Sequence, residues 1–273
     1  MKHLKQQDAL ELRYGMPVNF KGPWNEHMDL LLSHKSVRSY SPQPLPEGTL
    51  EMLIAAAQSA ATSSNLQSWS VIAVTDPAKK AAFAEIANNQ KHIEQCPLFL
   101  VWVADLSRNE RLGKSEGVKL EVLELTEAFL VAAIDAGLAA QNAVIAAESL
   151  GISTLYIGAL RNDPERVSEL LGLPAGCLGV FGLCVGYAAP DSVNEVKPRL
   201  PQQAVLFHET YGTPEEEALR VAYDERMATF SRRNEMVHDS WSQRVIRRTQ
   251  STKTIQKRAY LSSILKKLGF QMK

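Results

Sequence analysis

"FLVAAIDAGLAAQNAVIAA", residues 129–147, is the most apolar run in the chain, and its reading decides the fold. It is about the length of a bilayer span, but Asp135, Gln141 and Asn142 interrupt it, so a membrane helix is not expected. What remains is a helix, part of a helical segment over about 118–150, that is apolar almost all the way round. Such a helix has to be enclosed, either by its own domain or by a second subunit. Gly151 follows it as a helix stop.

Short apolar, β-rich runs lie on both sides of this helix. "SVIAVTD" (70–76), "PLFLVWVAD" (97–105), "STLYIGA" (153–159) and "GVFGLCVGY" (179–187) each read as a strand. The second is apolar at nearly every position, as expected of a strand covered on both faces. Helical patterns separate the strands at 25–35, 46–61, 77–88 and in "NDPERVSELLGLP". In that last segment Asn162 or Asp163 can cap, Pro164 suits the first turn and Gly172 follows the end. The order predicts an α/β layered domain with helices on both faces of a sheet. From about 213 the texture becomes charged and helical. Residues 241–273 carry nine Lys/Arg and no Asp/Glu. The expected division is a core over 1–200 and an arm over 201–273 that packs on the core or on a partner subunit.

Composition narrows the function classes. The chain has 273 residues, 45% of them hydrophobic, with Lys+Arg and Asp+Glu both at 30. A neutral total argues against a nucleic-acid or anionic-membrane protein. Cys96, Cys177 and Cys184 form no C-x-x-C pair and read as buried free thiols in a reducing cytoplasm. The N-terminus, "MKHLKQQDALELRYGM", lacks the apolar centre of a signal peptide. Six histidines without ligand spacing predict no metal site, and no phosphate-loop, zinc-protease or nucleophile-elbow motif is present.

The remaining chemistry lies in scattered donor clusters. "HKSVRSYSPQPLPEGTL" (34–50) places His34, Lys35 and Arg38 within five residues, with Ser36 between them. "EVKPRLP" (195–201) sets Lys197 and Arg199 around a proline that keeps the segment extended. A phosphate between two such clusters would take charge-assisted hydrogen bonds. "ATSSNLQSWS" (61–70) is a run of hydroxyls and amides leading into a strand.

With "NNQKHIEQCP", "QNAVIAAESLGISTLYIGALRNDPERVSELLGLP", "FGLCVGYAAP" and "KPRLPQQAVLFHE", these stretches resemble the FMN-dependent nitroreductase superfamily. Within it they resemble the oxygen-insensitive NADPH nitroreductase and NADPH flavin reductase branch. The resemblance runs from about residue 28 to 273 and implies a three-layer α-β-α sandwich. It also implies an intertwined homodimer with an extended C-terminal arm and one FMN per site at the interface.

Carried over residue by residue, His34, Lys35 and Ser36 match the segment that holds the FMN phosphate and ribityl chain. Lys197 and Arg199 match the far side of the phosphate. Arg38 matches the cation that tunes the flavin. Ser63, Ser64 and Gln67 match the loop reaching the cofactor across the interface, and Gln90 a ribityl or ring contact. Tyr156, Ile157, Gly158 and Ala159 match the strand end bordering the ring. Lys35 stands where arginine is usual, and Ala159 where this branch commonly has glycine. Arg232 and Arg233, in "SRRN", are the candidates for the extra phosphate of NADPH.

The implied activity is a cytoplasmic, ping-pong, two-electron reduction of nitroaromatics, quinones or related small electrophiles by NADPH. Two alternatives stand beside it: a flavin reductase supplying reduced FMN to a partner monooxygenase, and a non-catalytic FMN-binding protein. No nucleic acid or membrane partner is expected.

Overall fold

A computed structural model describes residues 5–20, 22–237 and 240–273. The chain divides into two compact units: residues 36–192 with 255–273, and residues 1–35 with 193–254. Each therefore draws on sequence from both sides of position 200.

The larger unit is built on a four-stranded sheet. Its strands are β1 (Trp69–Val74), β2 (Leu98–Asp105), β3 (Ser153–Ile157) and β4 (Cys177–Gly186). They lie in the order β1-β2-β4-β3, and every neighbouring pair is antiparallel. All four sit where the apolar runs predict.

β2 is buried along its whole length, and its alternation explains why Leu98–Ala104 carry no polar residue ahead of the terminal Asp105. Leu98, Leu100 and Trp102 join one core cluster, with Leu53, Ala139, Ala143 and Val144 from the helices Thr49–Gln58 and Thr126–Ser149. Phe99, Val101 and Val103 join the opposite cluster, with Phe83 from Pro77–Ile86 and Val167 from Pro164–Leu171. A strand covered on both faces by helices gains nothing from polar alternation. The result is the expected helix–sheet–helix layering. Close packing leaves no room at Gly182, where a Cβ would stand 2.2 Å from the Phe99 ring.

Helix ends follow local chemistry. Asp163, not Asn162, caps Pro164–Leu171 by accepting from the Arg166 amide, and Gly172 ends that helix in the left-handed conformation. Asn162 instead donates to the Ile86 carbonyl. The long helix differs from expectation at its start: it begins at Thr126, not near 118. The preceding residues form only a short 3₁₀ turn, Glu121–Glu124. The reason lies at the far end of the chain. Lys273 donates its amide to the Glu124 carbonyl and accepts from the Thr126 amide, engaging backbone groups that a longer helix would pair internally.

The long helix buries an alanine face against the sheet, including Ala132, Ala136, Ala139, Ala140 and Ala143. By length and composition alone it could cross a membrane, but that buried face makes it a core helix of this unit. The C-terminal helix Leu261–Lys267 closes a third cluster, where Phe270 meets the Phe129 ring edge-on. The basic tail is also tied down by charge: Lys257 pairs with Asp163, Lys267 with Glu165 and Lys273 with Glu124.

The smaller unit contains the helices Gln6–Tyr14, Glu26–Leu32, Glu216–Arg233 and Trp241–Thr249. The first of these is not marked in the sequence by any strong apolar period. Tyr223, Met227 and Phe230 form its small core, with Leu200, Met236 and Trp241 packed against them.

Candidate functional site

In the larger unit the segment after Ser36 runs beside the sheet. Ser36 forms a parallel bridge with Thr154, and the Val37 amide donates to the Thr154 carbonyl. Tyr40 bridges Ala188. This pairing fixes the backbone and leaves the Ser36 and Arg38 side chains exposed. Arg38 donates to the Ser36 carbonyl at 3.3 Å.

Gln90 belongs to the same neighbourhood through His92. The His92 ring nitrogen Nε2 lies 3.0 Å from Gln90 Oε1. Burial, and then the positive charge of Arg38, push the His92 imidazole below its ordinary pKa. His92 is a group that residue-by-residue reasoning missed, although it lies inside the stretch "NNQKHIEQCP".

The loop after Thr62 is unusual in its backbone. Ser64, Asn65 and Gln67 all have positive φ, at 46°, 56° and 50°. Non-glycine residues held there cost about 1–3 kcal/mol each, so something has to hold the loop. That something is Asp135, buried on the long helix. Its carboxylate accepts from Thr62 Oγ1 at 2.5 Å and from the Ser63 amide at 3.2 Å. Thr62 Oγ1 in turn accepts from the Gln67 amide, and Arg108 donates to the Gln67 carbonyl. The Ser63, Ser64 and Gln67 side chains stay exposed.

At the end of β3, Tyr156 stands partly exposed, stacked edge-on against Phe181 with its hydroxyl donating to Gln141 Oε1 at 3.3 Å. Burial of the rest of the residue holds its phenol well above the ordinary pKa, so it stays protonated. Ile157 is buried beneath it, and Gly158 and Ala159 begin the 3₁₀ turn Gly158–Asn162.

In the smaller unit the structure brings two basic segments together. The carbonyls of His34 and Lys197 both accept from the guanidinium of Arg13. Lys35 and Arg199 are exposed beside them. Pro198 between the two cations is buried, and its carbonyl accepts from the Tyr223 hydroxyl at 2.8 Å. Arg13 is a second residue that sequence reasoning missed.

The two arm candidates differ. Arg233 makes two hydrogen bonds to one carboxylate oxygen of Glu195, at 2.8 and 2.6 Å. With Asn234 it holds that carboxylate below its ordinary pKa. Arg232 is exposed and has no ion-pair partner among the described residues. A pocket of about 560 Å³ lies along 202–219, lined by Phe207, Tyr211 and Leu219 among others, and shares no residue with these donor segments.

The Nitroreductase family model matches residues 31–187, and the Nitroreductase family, C-terminal domain model matches residues 197–273. The chain belongs to the nitroreductase family. It is 38% identical over 251 residues to a Bacillus subtilis (strain 168) protein named FMN reductase (NADPH), covering 90% of this chain and 98% of that one. It is 39% identical over 224 residues to the oxygen-insensitive NADPH nitroreductase of Salmonella typhimurium, covering 81% of this chain and 90% of that one. Its fold matches the solved NfrA1 nitroreductase from B. subtilis with a TM-score of 0.83 and 37% identity, over 90% of this chain and 99% of that one.

Proposed function

We propose that this chain is an NADPH-dependent FMN oxidoreductase that reduces nitroaromatics, quinones and related electrophiles in two-electron steps. The observation that carries the reading is the donor set, in a chain of this family. Two basic segments are tied side by side by their backbones, with Lys35 and Arg199 exposed and His34 and Lys197 half-buried beside them. Exposed hydroxyls and amides stand on a held loop. These residue types fit FMN: a phosphate wants fixed cations, a ribityl chain wants hydroxyl and amide partners, and a ring wants a flat, partly apolar border.

FMN, when bound, would supply the redox chemistry: hydride acceptance from NADPH and two-electron reduction of an acceptor. The protein's part is binding, orientation and charge. His34, Lys35, Lys197 and Arg199 hold the phosphate. Ser36, Ser63, Ser64, Gln67 and Gln90 take the ribityl chain and the polar ring edge. Tyr156, Ile157, Gly158 and Ala159 border the ring. Arg38 supplies a permanent cation where negative charge accumulates on reduction, because guanidinium keeps its proton at any working pH. Arg232, with Arg233 braced on Glu195, meets the extra phosphate of NADPH. No side chain is required as a nucleophile.

The active unit is a homodimer, working in the cytoplasm. Leu130, Ile134 and Leu138 line one face of the long helix and stand about half exposed, which suits cover by a second copy. A second reading, reduction of free FMN for use elsewhere, is favoured by the name of the B. subtilis relative.

Purified protein should carry a flavin absorbance spectrum and release FMN on heating. NADPH oxidation is then followed with a nitroaromatic, a quinone or free FMN as acceptor. Higher kcat/KM with the nitroaromatic or quinone supports the first reading, and higher kcat/KM with free FMN the second. Colourless protein that takes up no FMN overturns both.

A further inference from the structure

Arg13 sits in the last turn of the N-terminal helix Gln6–Tyr14 and is only 6% exposed. Its guanidinium donates four hydrogen bonds to the backbone carbonyls of three residues. Nε and Nη2 donate to Leu32 at 3.2 and 2.7 Å, Nη2 also donates to His34 at 2.8 Å, and Nη1 donates to Lys197 at 3.1 Å. The carbonyl of Arg13 itself accepts from the Arg199 amide at 2.9 Å. One residue thus ties the chain at 32–34 to the chain at 197–199. A planar fork with five donors in fixed directions can do this; a flexible ammonium cannot.

These four bonds hold backbone, and that is their significance. The segment 197–199 is held from several sides. Arg13 takes the Lys197 carbonyl and the Arg199 amide, Tyr223 takes the Pro198 carbonyl, and the Pro198 ring packs so closely on Gly15 that a Cβ there would lie 3.1 Å away. Meanwhile Lys35 and Arg199 remain exposed, and His34 and Lys197 half-buried. The backbones are fixed, Lys35 and Arg199 are left outward, and the Lys197 ammonium lies 6.0 Å from the centre of the Phe230 ring. A phosphomonoester needs its cations at a set spacing, and each long side chain already carries considerable rotamer entropy. Fixing the two backbones removes the larger part of the remaining freedom.

We infer that Arg13 is the positioning residue of the phosphate site: it sets the His34–Lys35 and Lys197–Arg199 segments at the spacing that takes the phosphomonoester of the flavin. Arg13 lies outside both stretches matched to the family, 31–187 and 197–273. The inference rests on the proposed FMN reading.

The test compares two ligands that share the flavin ring and differ in the phosphate. FMN and riboflavin are titrated into flavin-stripped full-length protein, with flavin fluorescence as readout and thermal unfolding measured in parallel. Wild type binds FMN much more tightly than riboflavin. In Arg13→Ala the FMN Kd rises about 10- to 150-fold, the range of a lost charged hydrogen bond, while the riboflavin Kd stays within about twofold. Arg13→Lys recovers part of the FMN affinity, since the charge returns without the fork. Tyr223→Phe, which frees only the Pro198 carbonyl, gives a smaller loss that is again confined to FMN. If Arg13→Ala does not fold, Arg13→Lys and Tyr223→Phe carry the same comparison. Equal losses for both ligands, or no loss for FMN, overturn the positioning role. Wild type that does not favour FMN over riboflavin overturns the functional reading instead.

Discussion

Asp135, Gln141 and Asn142 read in sequence as interruptions of an apolar run, and each proves to hold a neighbour in place. Asp135 holds Thr62 and Ser63, Gln141 accepts from the Tyr156 hydroxyl, and Asn142 donates to the Ala56 carbonyl. Removing the Asp135 carboxylate strands two buried or half-buried donors, at about 1–3 kcal/mol for each buried group left unpaired. It also frees a loop stored in left-handed backbone. Asp135→Ala should therefore lower thermal stability and speed hydrogen exchange at 62–68, with β2 little changed. Unaltered exchange in the loop would mean that Arg108 alone suffices. Asp105 offers a pH test. Burial pushes its carboxyl up, but hydrogen bonds from Ser107, Ser70 and Cys177, with the Arg108 charge, outweigh this and bring it down to about 2 from 3.8. A carboxylate with a depressed pKa stabilises the fold above its unfolded value, and that stabilisation is lost as pH falls through the folded one. Stability should drop between about pH 4 and 2, and Asp105→Asn should flatten that part of the curve. Nearby Cys177 is pushed up to about 12, chiefly by burial, so it is an inert thiol, as scattered unpaired cysteines suggest.

Elements were legible where a single period dominates. The four strands are short, mostly apolar, β-rich runs, and Asp163-Pro164 with Gly172 frames a helix by local chemistry alone. The long helix was misread at its start because its limit is set by Lys273, far away in sequence. The site shows the same division. The basic and hydroxyl segments can be picked out by residue type. Arg13 cannot, because what it holds at Leu32, His34 and Lys197 are carbonyls, and every residue has one. The arm is a mixed case: "SRRN" presents two arginines, and only the fold separates their surroundings. Both are exposed, but Arg233 is held by Glu195, which leaves Arg232 as the one without an ion-pair partner among the described residues. Arg232→Ala should raise KM for NADPH about 10- to 150-fold, the range of a lost charged hydrogen bond, with kcat and NADH kinetics little changed. An unchanged ratio of NADPH to NADH efficiency would remove Arg232 from nucleotide recognition.

At the scale of the whole molecule the open question is what covers the outer face of the long helix. Leu130, Ile134 and Leu138 are spaced by four, so they form one ridge, exposed at 52%, 51% and 45%. The opposite face is already spent on the sheet through its alanines. Fully burying one such side chain is worth about 1.5–3 kcal/mol, so covering the exposed halves of three contributes a few kcal/mol to association. A second copy would cover this ridge, and a shared interface is where the family resemblance puts FMN. Ile134→Glu tests the two together. Glutamate is a good helix former and the position is half exposed, so the helix should survive the change. A charge on the ridge would have to be buried in the dimer, which is costly without a partner. Sedimentation should therefore show wild type as a dimer and the variant shifted towards monomer, with unchanged circular dichroism and less bound FMN. A variant that remains a dimer would place the interface elsewhere. A monomeric variant with full FMN occupancy would separate cofactor binding from assembly.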